Sequence, residues 1–282
     1  MSGLISMDAG SGRLLIVQPL VGIGDMIWHK PWIDYLCSNN TVVLATKPTV
    51  QAPVLFAETD GLVDFLFIER SQRGVRGRHD GWQGFWHLVV DFKSSGADRV
   101  LILHHSPRYA LAAFLAGIKS RWGYGIRRQR LWLNKGQFLD NAARKMHPIK
   151  KMQRYASLND FAISPIWRLN ITSAASRAAD EFMVKQGIKS APHMLIVGIG
   201  AMDEERCWPL EKFAELIILL AAQSPQMICC LMGAPSEQPM VDHIFDLLPS
   251  HIKAVNAITK LDVGIALLGR AAGFVGNDSG LL

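Results

Sequence analysis

Residues 13–47, RLLIVQPLVGIGDMIWHKPWIDYLCSNNTVVLATK, decide the fold of this chain. The apolar run at 13–19 has the length of a strand and predicts one that is buried on both faces. A glycine loop follows it, then a helix is predicted near 25–37 and a second apolar strand at 41–47. A strand, a helix and a strand joined by short loops predict two parallel strands with a helix packed against them.

The same alternation runs through nearly the whole chain. Further strands are predicted at 63–68, 99–104, 194–199, 227–232 and 273–276, and helices at 82–93, 107–117, 147–160, 173–186, 209–222 and 238–248. This pattern predicts an α/β fold in which helices cover both faces of parallel sheets. It breaks at 163–175, which predicts two domains, 1–165 and 166–282. Because a strand and its polar loop stand at the end of the chain, we expect the second domain to be truncated.

Composition excludes several classes of protein. The 282 residues are 49% apolar and 19% charged, which excludes a disordered chain. The four cysteines lack disulfide or metal-ligand spacing, which favours a reduced, cytosolic protein. The uncharged stretch at 216–236 carries QSPQ at its middle, so we interpret it as a helix, a turn and a strand rather than a membrane span.

The net charge of +6 is concentrated in one segment. Residues 119–154 hold eleven lysines and arginines and one acid, Asp140, so this segment carries +10 and the rest of the chain −4. Such a cluster indicates a site for an acidic partner. The alternative is that 144–154 is a solvated basic helix face. A nucleic-acid ligand is not favoured, because no recognisable nucleic-acid-binding module is present.

The first glycine loop, 22–27 (GIGDMI), excludes two common cofactor motifs. It begins like a dinucleotide fingerprint, but Ile27 stands where the third glycine belongs, and the second strand ends in Lys47 rather than an acid. No P-loop motif is present either. What remains is Asp25 at the start of a helix, at the sheet edge where ligands bind. The alternative is that Asp25 only complements the helix dipole.

Three later loops carry polar groups at the ends of predicted strands. In the loop 198–209, Arg206 can clamp a diphosphate through paired hydrogen bonds, or pair with the neighbouring glutamates. The loop 277–280 (NDSG) offers backbone N–H groups and a hydroxyl to an anion. At 104–108 (HHSPR), adjacent histidines on a strand point in opposite directions and make a poor metal pair. We interpret Ser106 and Arg108 as polar groups at the sheet edge. The alternative for Ser106 is that it is the N-cap of the following helix.

Taken together and in order, these motifs resemble the glycosyltransferase family 9 heptosyltransferases. The resemblance covers the chain from Arg13 onward, and no single motif in it is decisive. It rests on four groups of residues: Gly24 and Asp25 with Pro31; Ser106, Arg108, Ala116, Gly117, Arg121, Gly123 and Tyr124; the loop and helix from Gly198 to Phe213; and Gly276 to Leu281.

The resemblance implies a GT-B architecture, in which two Rossmann-like doubly wound domains face each other across a cleft. It implies an inverting transfer from a nucleotide diphosphate sugar, ADP-heptose, with no metal or other cofactor. Asp25 would be the general base. The donor would be bound by Arg206, Asn277, Asp278, Ser279, Gly280 and Gly200, and the acceptor by Gly24, Ser106, Arg108, Arg127, Arg128 and Arg130.

The partners implied by the resemblance are the nucleotide sugar and an acidic, lipid-linked acceptor of the lipopolysaccharide core. We therefore expect a cytoplasmic protein that contacts the inner face of the inner membrane peripherally and binds no nucleic acid. Two alternatives stay open at this point. One is a family 9 transferase that uses another donor sugar, and the other is an inactive, truncated relative that only binds glycolipid or nucleotide.

Overall fold

The computed structural model of the chain describes residues 12–71, 74–161, 165–188, 193–200 and 207–277. The chain divides into two compact units, Met1–Arg168 and Leu169–Leu282. Each unit contains its own parallel β-sheet, and the two sheets have five and four strands among the described residues. The predicted α/β class with parallel sheets is therefore confirmed.

The first unit is an alternation of strands and helices. Its elements are β1 (Arg13–Gln18), α1 (Ile23–Asn39), β2 (Thr41–Thr46), α2 (Ala52–Leu55), β3 (Leu62–Phe67), α3 (Gly81–Ser94), β4 (Ala97–Ile102), α4 (Pro107–Leu115), β5 (Ser120–Gly123) and α5 (Pro148–Leu158). Short 3-10 helices cover Pro48–Val50, Arg127–Trp132 and Asn141–Lys145. The strand order is β3-β2-β1-β4-β5, and every pairing is parallel.

This strand order has a reversal beside β1. The chain moves outward from β1 through β2 to β3, and then crosses back to place β4 on the other side of β1. Helices that follow β1 and β4 consequently leave in opposite directions and open a crevice beyond the carboxyl ends of these two strands. Ligands of doubly wound sheets bind in this crevice, so the functional residues of the first unit are expected to line it.

Both faces of the first sheet are buried because its strands are apolar runs. Leu15 and Val17 point to one face and pack with Phe92 of α3 and Tyr109 of α4 in a single hydrophobic cluster. The alternate residues of β1, including Ile16, are also fully buried. A side-chain period of two explains why one strand contributes to two layers.

The second unit repeats the design with fewer strands. Its described elements are α6 (Ser173–Lys185), β6 (Met194–Gly198), α7 (Leu210–Gln223), β7 (Ile228–Met232), α8 (Gln238–Leu247), β8 (Ala254–Asn256), α9 (Leu261–Leu268) and β9 (Gly273–Gly276), with a 3-10 helix at Pro235–Glu237. The strand order is β8-β7-β6-β9, all parallel, so the reversal lies between β6 and β9.

The core of the second unit also has two layers. Ile196 and Cys230 belong to the cluster beneath α6 and α9, whereas Val197 and Leu231 belong to the cluster beneath α7 and α8. Cys229 and Cys230 thus point to opposite faces of β7, and burial raises the pKa of these thiols to about 11 and about 12. They are core residues rather than ligands or nucleophiles.

The uncharged stretch at 216–236 is divided as predicted. Its first part belongs to α7, which ends at Gln223, and its second part belongs to β7, which begins at Ile228. In the part of the chain that the structure describes, no helix is long and apolar enough to cross a bilayer.

Candidate active site

Asp25 lies in the first turn of α1, directly beyond the carboxyl end of β1. Its carboxylate Oδ2 accepts a hydrogen bond from the backbone N–H of Gly22 at 3.1 Å. Burial raises the pKa of this carboxyl above its ordinary value of 3.8, while the Gly22 N–H and the nearby His147 act in the opposite direction. The result is a half-buried carboxylate with more affinity for a proton than an exposed aspartate has, which is the property a general base needs.

The backbone of Asp25 is held by two buried side chains. Its carbonyl oxygen lies 2.8 Å from Nδ1 of His29 and 3.2 Å from Nε2 of Gln18. A carbonyl oxygen can only accept, so Nδ1 of His29 carries the proton. Nε2 of His29 lies 3.4 Å from the hydroxyl of Tyr124. Burial lowers the pKa of His29 to about 4, so the ring is neutral at physiological pH and this tautomer is stable.

A second contact brings α5 to the same turn of α1. The rings of Trp28 and His147 lie 4.4 Å apart, centroid to centroid. His147 is the N-cap of α5, and its Nδ1 accepts the N–H of Ile149 at 3.3 Å. The first turn of α1, which carries Asp25, is thus linked through His29 to Tyr124, directly after β5, and is packed through Trp28 against the start of α5.

The two histidines after β4 do not point in opposite directions, so that prediction was wrong. The rings of His104 and His105 stack with centroids 4.5 Å apart and planes 23° apart. The physical reason is that β4 ends at Ile102, so the alternation of a strand no longer applies at 104 and 105. Nδ1 of His104 accepts the N–H of Ser106, and burial together with His105 and Lys151 lowers the pKa of His104 to about 3.

Among the residues that the structure describes, no group of three or more histidine, cysteine, aspartate or glutamate side chains is placed to hold a metal ion.

Ser106 and Arg108 make internal bonds of the first unit. The hydroxyl of Ser106 accepts the N–H of Arg108 at 3.3 Å and caps α4, which is the N-cap alternative derived from the sequence. The guanidinium of Arg108 donates to the carbonyl oxygens of His79 at 2.8 Å and Gly81 at 3.2 Å, and lies over the ring of Phe85. Arg108 therefore ties the loop before α3 to the start of α4.

Arg127, Arg128 and Arg130 are all exposed on the 3-10 helix that follows β5. The residue between them, Gln129, is fully buried, and its Nε2 donates to the carbonyl oxygen of His104 at 2.6 Å. This bond anchors the three arginines to the carboxyl end of β4. Arg127 has a left-handed backbone, φ 56°, a conformation that arginine adopts only at an energetic cost.

Other members of the basic segment 119–154 are engaged internally. Arg121 donates to the carbonyl oxygens of Ile118 and Trp132, and Arg154 is paired with Asp140 at 2.6 Å. Lys151 is nearly buried and donates to the carbonyl oxygen of Arg144. Only part of the +10 charge seen in the sequence is thus presented to a ligand, and the 127–130 group is the part with the most exposed guanidinium groups.

In the second unit, Asn277 connects the ends of β6 and β9. Its Nδ2 donates to the carbonyl oxygen of Ile199 at 2.6 Å, and its Oδ1 accepts the N–H of Trp208 at 2.9 Å. The buried side chain thus joins the end of β9 to Ile199 and Trp208, which both follow β6. The other predicted donor residues after β6 and β9, namely Arg206, Asp278, Ser279 and Gly280, lie outside the described residues.

Gly200 has a specific neighbour that the sequence did not reveal. A Cβ added at Gly200 or at Gly233 would collide with the carboxylate of Glu237. Oε2 of Glu237 also accepts the N–H of Ala234 at 2.6 Å. A carboxylate is thereby held at the carboxyl edge of the sheet, beside the glycine turn that ends β6. The sequence signal for it was weak, since Glu237 lies far from Gly200 along the chain.

Each of the two units contains a parallel sheet with the strand reversal of a doubly wound fold, and these are the two kinds of unit from which the GT-B class of glycosyltransferase fold is built. A family model described as glycosyltransferase family 9 (heptosyltransferase) matches residues 85–282. The chain therefore belongs to glycosyltransferase family 9 and is a glycosyltransferase. The resemblance inferred from the sequence motifs is confirmed.

Solved structures show the same fold at low sequence identity. A family 9 glycosyltransferase from Veillonella parvula is similar with a TM-score of 0.76 and 18% identity, over 99% of this chain and 78% of that one. ADP-heptose lipopolysaccharide heptosyltransferase II of E. coli is similar with a TM-score of 0.69 and 18% identity, over 95% of this chain and 80% of that one. The E. coli heptosyltransferase WaaC, solved with ADP, is similar with a TM-score of 0.61 and 17% identity, over 95% of this chain and 82% of that one. No curated protein matches the sequence significantly.

Proposed function

We propose that this glycosyltransferase transfers a heptose from a nucleotide diphosphate sugar to an acidic, lipid-linked acceptor, with inversion at the anomeric carbon. The observation that carries the proposal is the placement of Asp25. It is a half-buried carboxylate with a raised pKa, fixed at the carboxyl end of β1 beside the strand reversal. A base in that position has access to a ligand in the crevice of the first sheet.

In the proposed reaction Asp25 removes the proton from an acceptor hydroxyl as the oxygen attacks the anomeric carbon. The new glycosidic bond forms on one face of the sugar while the bond to the diphosphate breaks on the other, so the configuration inverts. The bonding electrons leave with the diphosphate oxygen. Arg206 neutralises that developing charge, in the electrostatic role that its sequence position suggests.

The donor nucleotide is assigned to the second unit. A glycine turn after β6 and an acid after the neighbouring strand form the arrangement that binds a ribose in nucleotide-binding sheets. Gly198 and Gly200 supply the turn, and Glu237 supplies the acid, whose carboxylate lies against Gly200. Asn277 positions the two loops at this edge, and Asp278, Ser279 and Gly280 bind the sugar or phosphate portion.

The acceptor is assigned to the first unit. Arg127, Arg128 and Arg130 present three exposed guanidinium groups close to the end of β4, held there through Gln129. Guanidinium groups bind carboxylates and phosphates in paired hydrogen bonds, so this group suits a phosphorylated, acidic sugar. Gly24, which has no side chain, lets the acceptor approach Asp25. The main role of Ser106 and Arg108 is to hold the turn before α4 in shape, rather than to bind the acceptor.

The setting follows from the acceptor. A lipid-linked substrate places the enzyme in the cytoplasm at the inner face of the inner membrane, as a peripheral protein. The mechanism above uses protein side chains alone and needs no cofactor besides the donor substrate.

A donor screen tests the proposal. Melting temperatures are measured with ADP-heptose and with UDP- and GDP-sugars as comparison ligands, because a ligand that binds only the folded state raises the melting temperature. We expect ADP-heptose to stabilise the protein most, and its heptose to appear on a phosphorylated glycolipid with inverted anomeric configuration. Preferential stabilisation by another nucleotide sugar, or a product of retained configuration, would contradict the proposal.

A further inference from the structure

Helix α3 presents an apolar face that is directed away from the core. Trp82, Trp86 and Val90 are 73%, 44% and 56% exposed. They are spaced four residues apart, so they form one stripe along the helix. The core side of α3 consists of other residues, Phe85 and Leu88 among them. The helix is thus apolar on two sides, and packing within the first unit accounts for only one of them.

The two tryptophans form a defined surface element. Their ring centroids lie 5.9 Å apart with planes at 89°, an edge-to-face pair. Trp82 also contacts Phe85, with centroids 6.1 Å apart, which anchors the pair to the core. A pair of exposed indoles held in this way is a preformed patch, and large exposed apolar patches mark interaction sites.

Positive charge flanks this stripe. A Cβ on Gly81 would lie 3.1 Å from Nη2 of Arg76, so the Arg76 guanidinium lies beside the residue that precedes Trp82. Lys93 is exposed in the last turn of α3. Residues 70–94 hold five lysines and arginines and two aspartates, a net charge of +3.

Both aspartates of this region are engaged by basic groups. Asp91 is paired with Arg78 and with His79, and Asp80 lies 3.5 Å from Arg70. The stripe is therefore bordered by positive charge and not by exposed, unpaired carboxylates of its own segment. A second copy of this chain would bring the same positive charge to the interface, which disfavours self-association through this face.

We propose that the α3 face, formed by Trp82, Trp86 and Val90 with Arg76 and Lys93 at its ends, docks on an anionic lipid bilayer. Indole rings are stable at the level of the lipid headgroups, and lysine and arginine next to them are attracted by anionic headgroups. The proposal extends the proposed function by naming the surface with which the enzyme reaches a lipid-linked acceptor.

Vesicle flotation tests the proposal without any sugar substrate. The protein is mixed with vesicles of phosphatidylcholine that contain phosphatidylglycerol, and with vesicles of phosphatidylcholine alone. We expect binding to the anionic vesicles that weakens with salt. The double substitution Trp82→Gln with Trp86→Gln should reduce binding about tenfold. Arg76→Gln with Lys93→Gln should also reduce it and should flatten the salt dependence.

A matched control removes exposed apolar side chains elsewhere. Val184→Gln with Leu219→Gln changes two exposed residues of the second unit and should leave vesicle binding unchanged. Equal vesicle binding by the tryptophan variant and the wild type would overturn the proposal. So would sedimentation showing a wild-type dimer that the tryptophan variant converts to a monomer, since this face would then be a dimer interface.

The outcomes separate this inference from the proposed function. Transfer to a soluble, delipidated acceptor should proceed normally in the tryptophan variant, because the ring contacts of both tryptophans are with each other and with Phe85, and neither residue is assigned to the donor or acceptor site. If the donor screen fails while vesicle binding depends on Trp82 and Trp86, the lipid surface is supported and the assigned reaction is wrong. If transfer succeeds and vesicle binding does not depend on Trp82 and Trp86, the assigned reaction is supported and the proposed lipid surface is wrong.

Discussion

Nδ1–H of His29 donates a 2.8 Å hydrogen bond to the backbone carbonyl oxygen of Asp25. The two residues are one helical turn apart, so a fully buried imidazole fixes the turn that carries the candidate base. Burial lowers the pKa of His29 to about 4, so the ring stays neutral, with its proton on Nδ1, over the physiological range. The position of Asp25 is therefore insensitive to pH over the physiological range.

The first prediction concerns acid stability. His29 has a pKa of 6.5 when exposed and about 4 in the folded protein, so the unfolded chain binds the proton more tightly. The stability that this neutral histidine contributes is present above pH 6.5 and is lost as the pH falls toward 4. His29→Gln should lower the free energy of unfolding at pH 7 by about 1–3 kcal/mol and reduce its fall between these pH values.

Urea unfolding at several pH values measures this effect. His251→Gln, a substitution of an exposed histidine in the second unit, is the matched control and should leave the pH dependence as it is. A variant at position 29 with the same acid dependence as the wild type would show that His29 is not the buried group described.

The second prediction separates structure from binding at Arg108. Nη2 of its guanidinium donates to the carbonyl oxygens of His79 and Gly81, while the planar group lies over the ring of Phe85, and lysine cannot reproduce this combination. Arg108→Lys should cost about 1–3 kcal/mol of stability, with little change in the KM for the acceptor. The same substitution at exposed Arg128 should do the opposite. If Arg108→Lys raises the KM for the acceptor without lowering stability, Arg108 binds the acceptor and the structural role assigned to it is wrong.

The third prediction concerns the arginine group. Replacing Arg127, Arg128 and Arg130 by glutamine should weaken binding of a phosphorylated glycolipid by at least about tenfold and flatten its salt dependence. The control replaces three exposed lysines of the second unit, Lys185, Lys253 and Lys260, by glutamine, so that the two triple variants have the same net charge. Equal losses in the two triple variants would mean that the acceptor responds only to total charge.

The fourth prediction concerns the donor. Glu237→Gln keeps an acceptor for the N–H of Ala234 but removes the charge that would bind ribose hydroxyls. The dissociation constant for the donor nucleotide should rise about tenfold, measured by calorimetry. Glu181→Gln, at an exposed site on α6, should have no effect. Unchanged nucleotide affinity at position 237 would remove Glu237 from the donor site.

Much of the fold could be predicted because its signals are local. Residues 13–47 contain a strand, a helix and a strand with apolar runs of the right length, and the structure places β1, α1 and β2 there. Elements too short to show a repeating apolar pattern were missed. Helix α2 has four residues and β8 has three, too few for an apolar periodicity to be recognised.

The candidate site was predicted only where its residues act locally. Asp25 could be identified because a strand, a glycine turn and a helix follow one another along the chain. The role of Gln129 depends on the carbonyl oxygen of His104, and that of Asn277 on Ile199, which is 78 residues away. Glu237 meets Gly200 only after β7 has paired with β6. Such partners are brought together by strand order, which the sequence pattern did not specify.

The most direct test of the account is the transfer rate of Asp25→Asn beside its donor affinity. Asparagine fills the same space but cannot accept the proton, so kcat should fall by about 10²–10⁴-fold while donor binding stays nearly unchanged. In the wild type, kcat/KM should decline as acid protonates Asp25, at a pH above its ordinary pKa of 3.8, because burial raises that pKa. An asparagine variant that keeps its turnover within about tenfold of the wild type would contradict the assignment of Asp25 as the base.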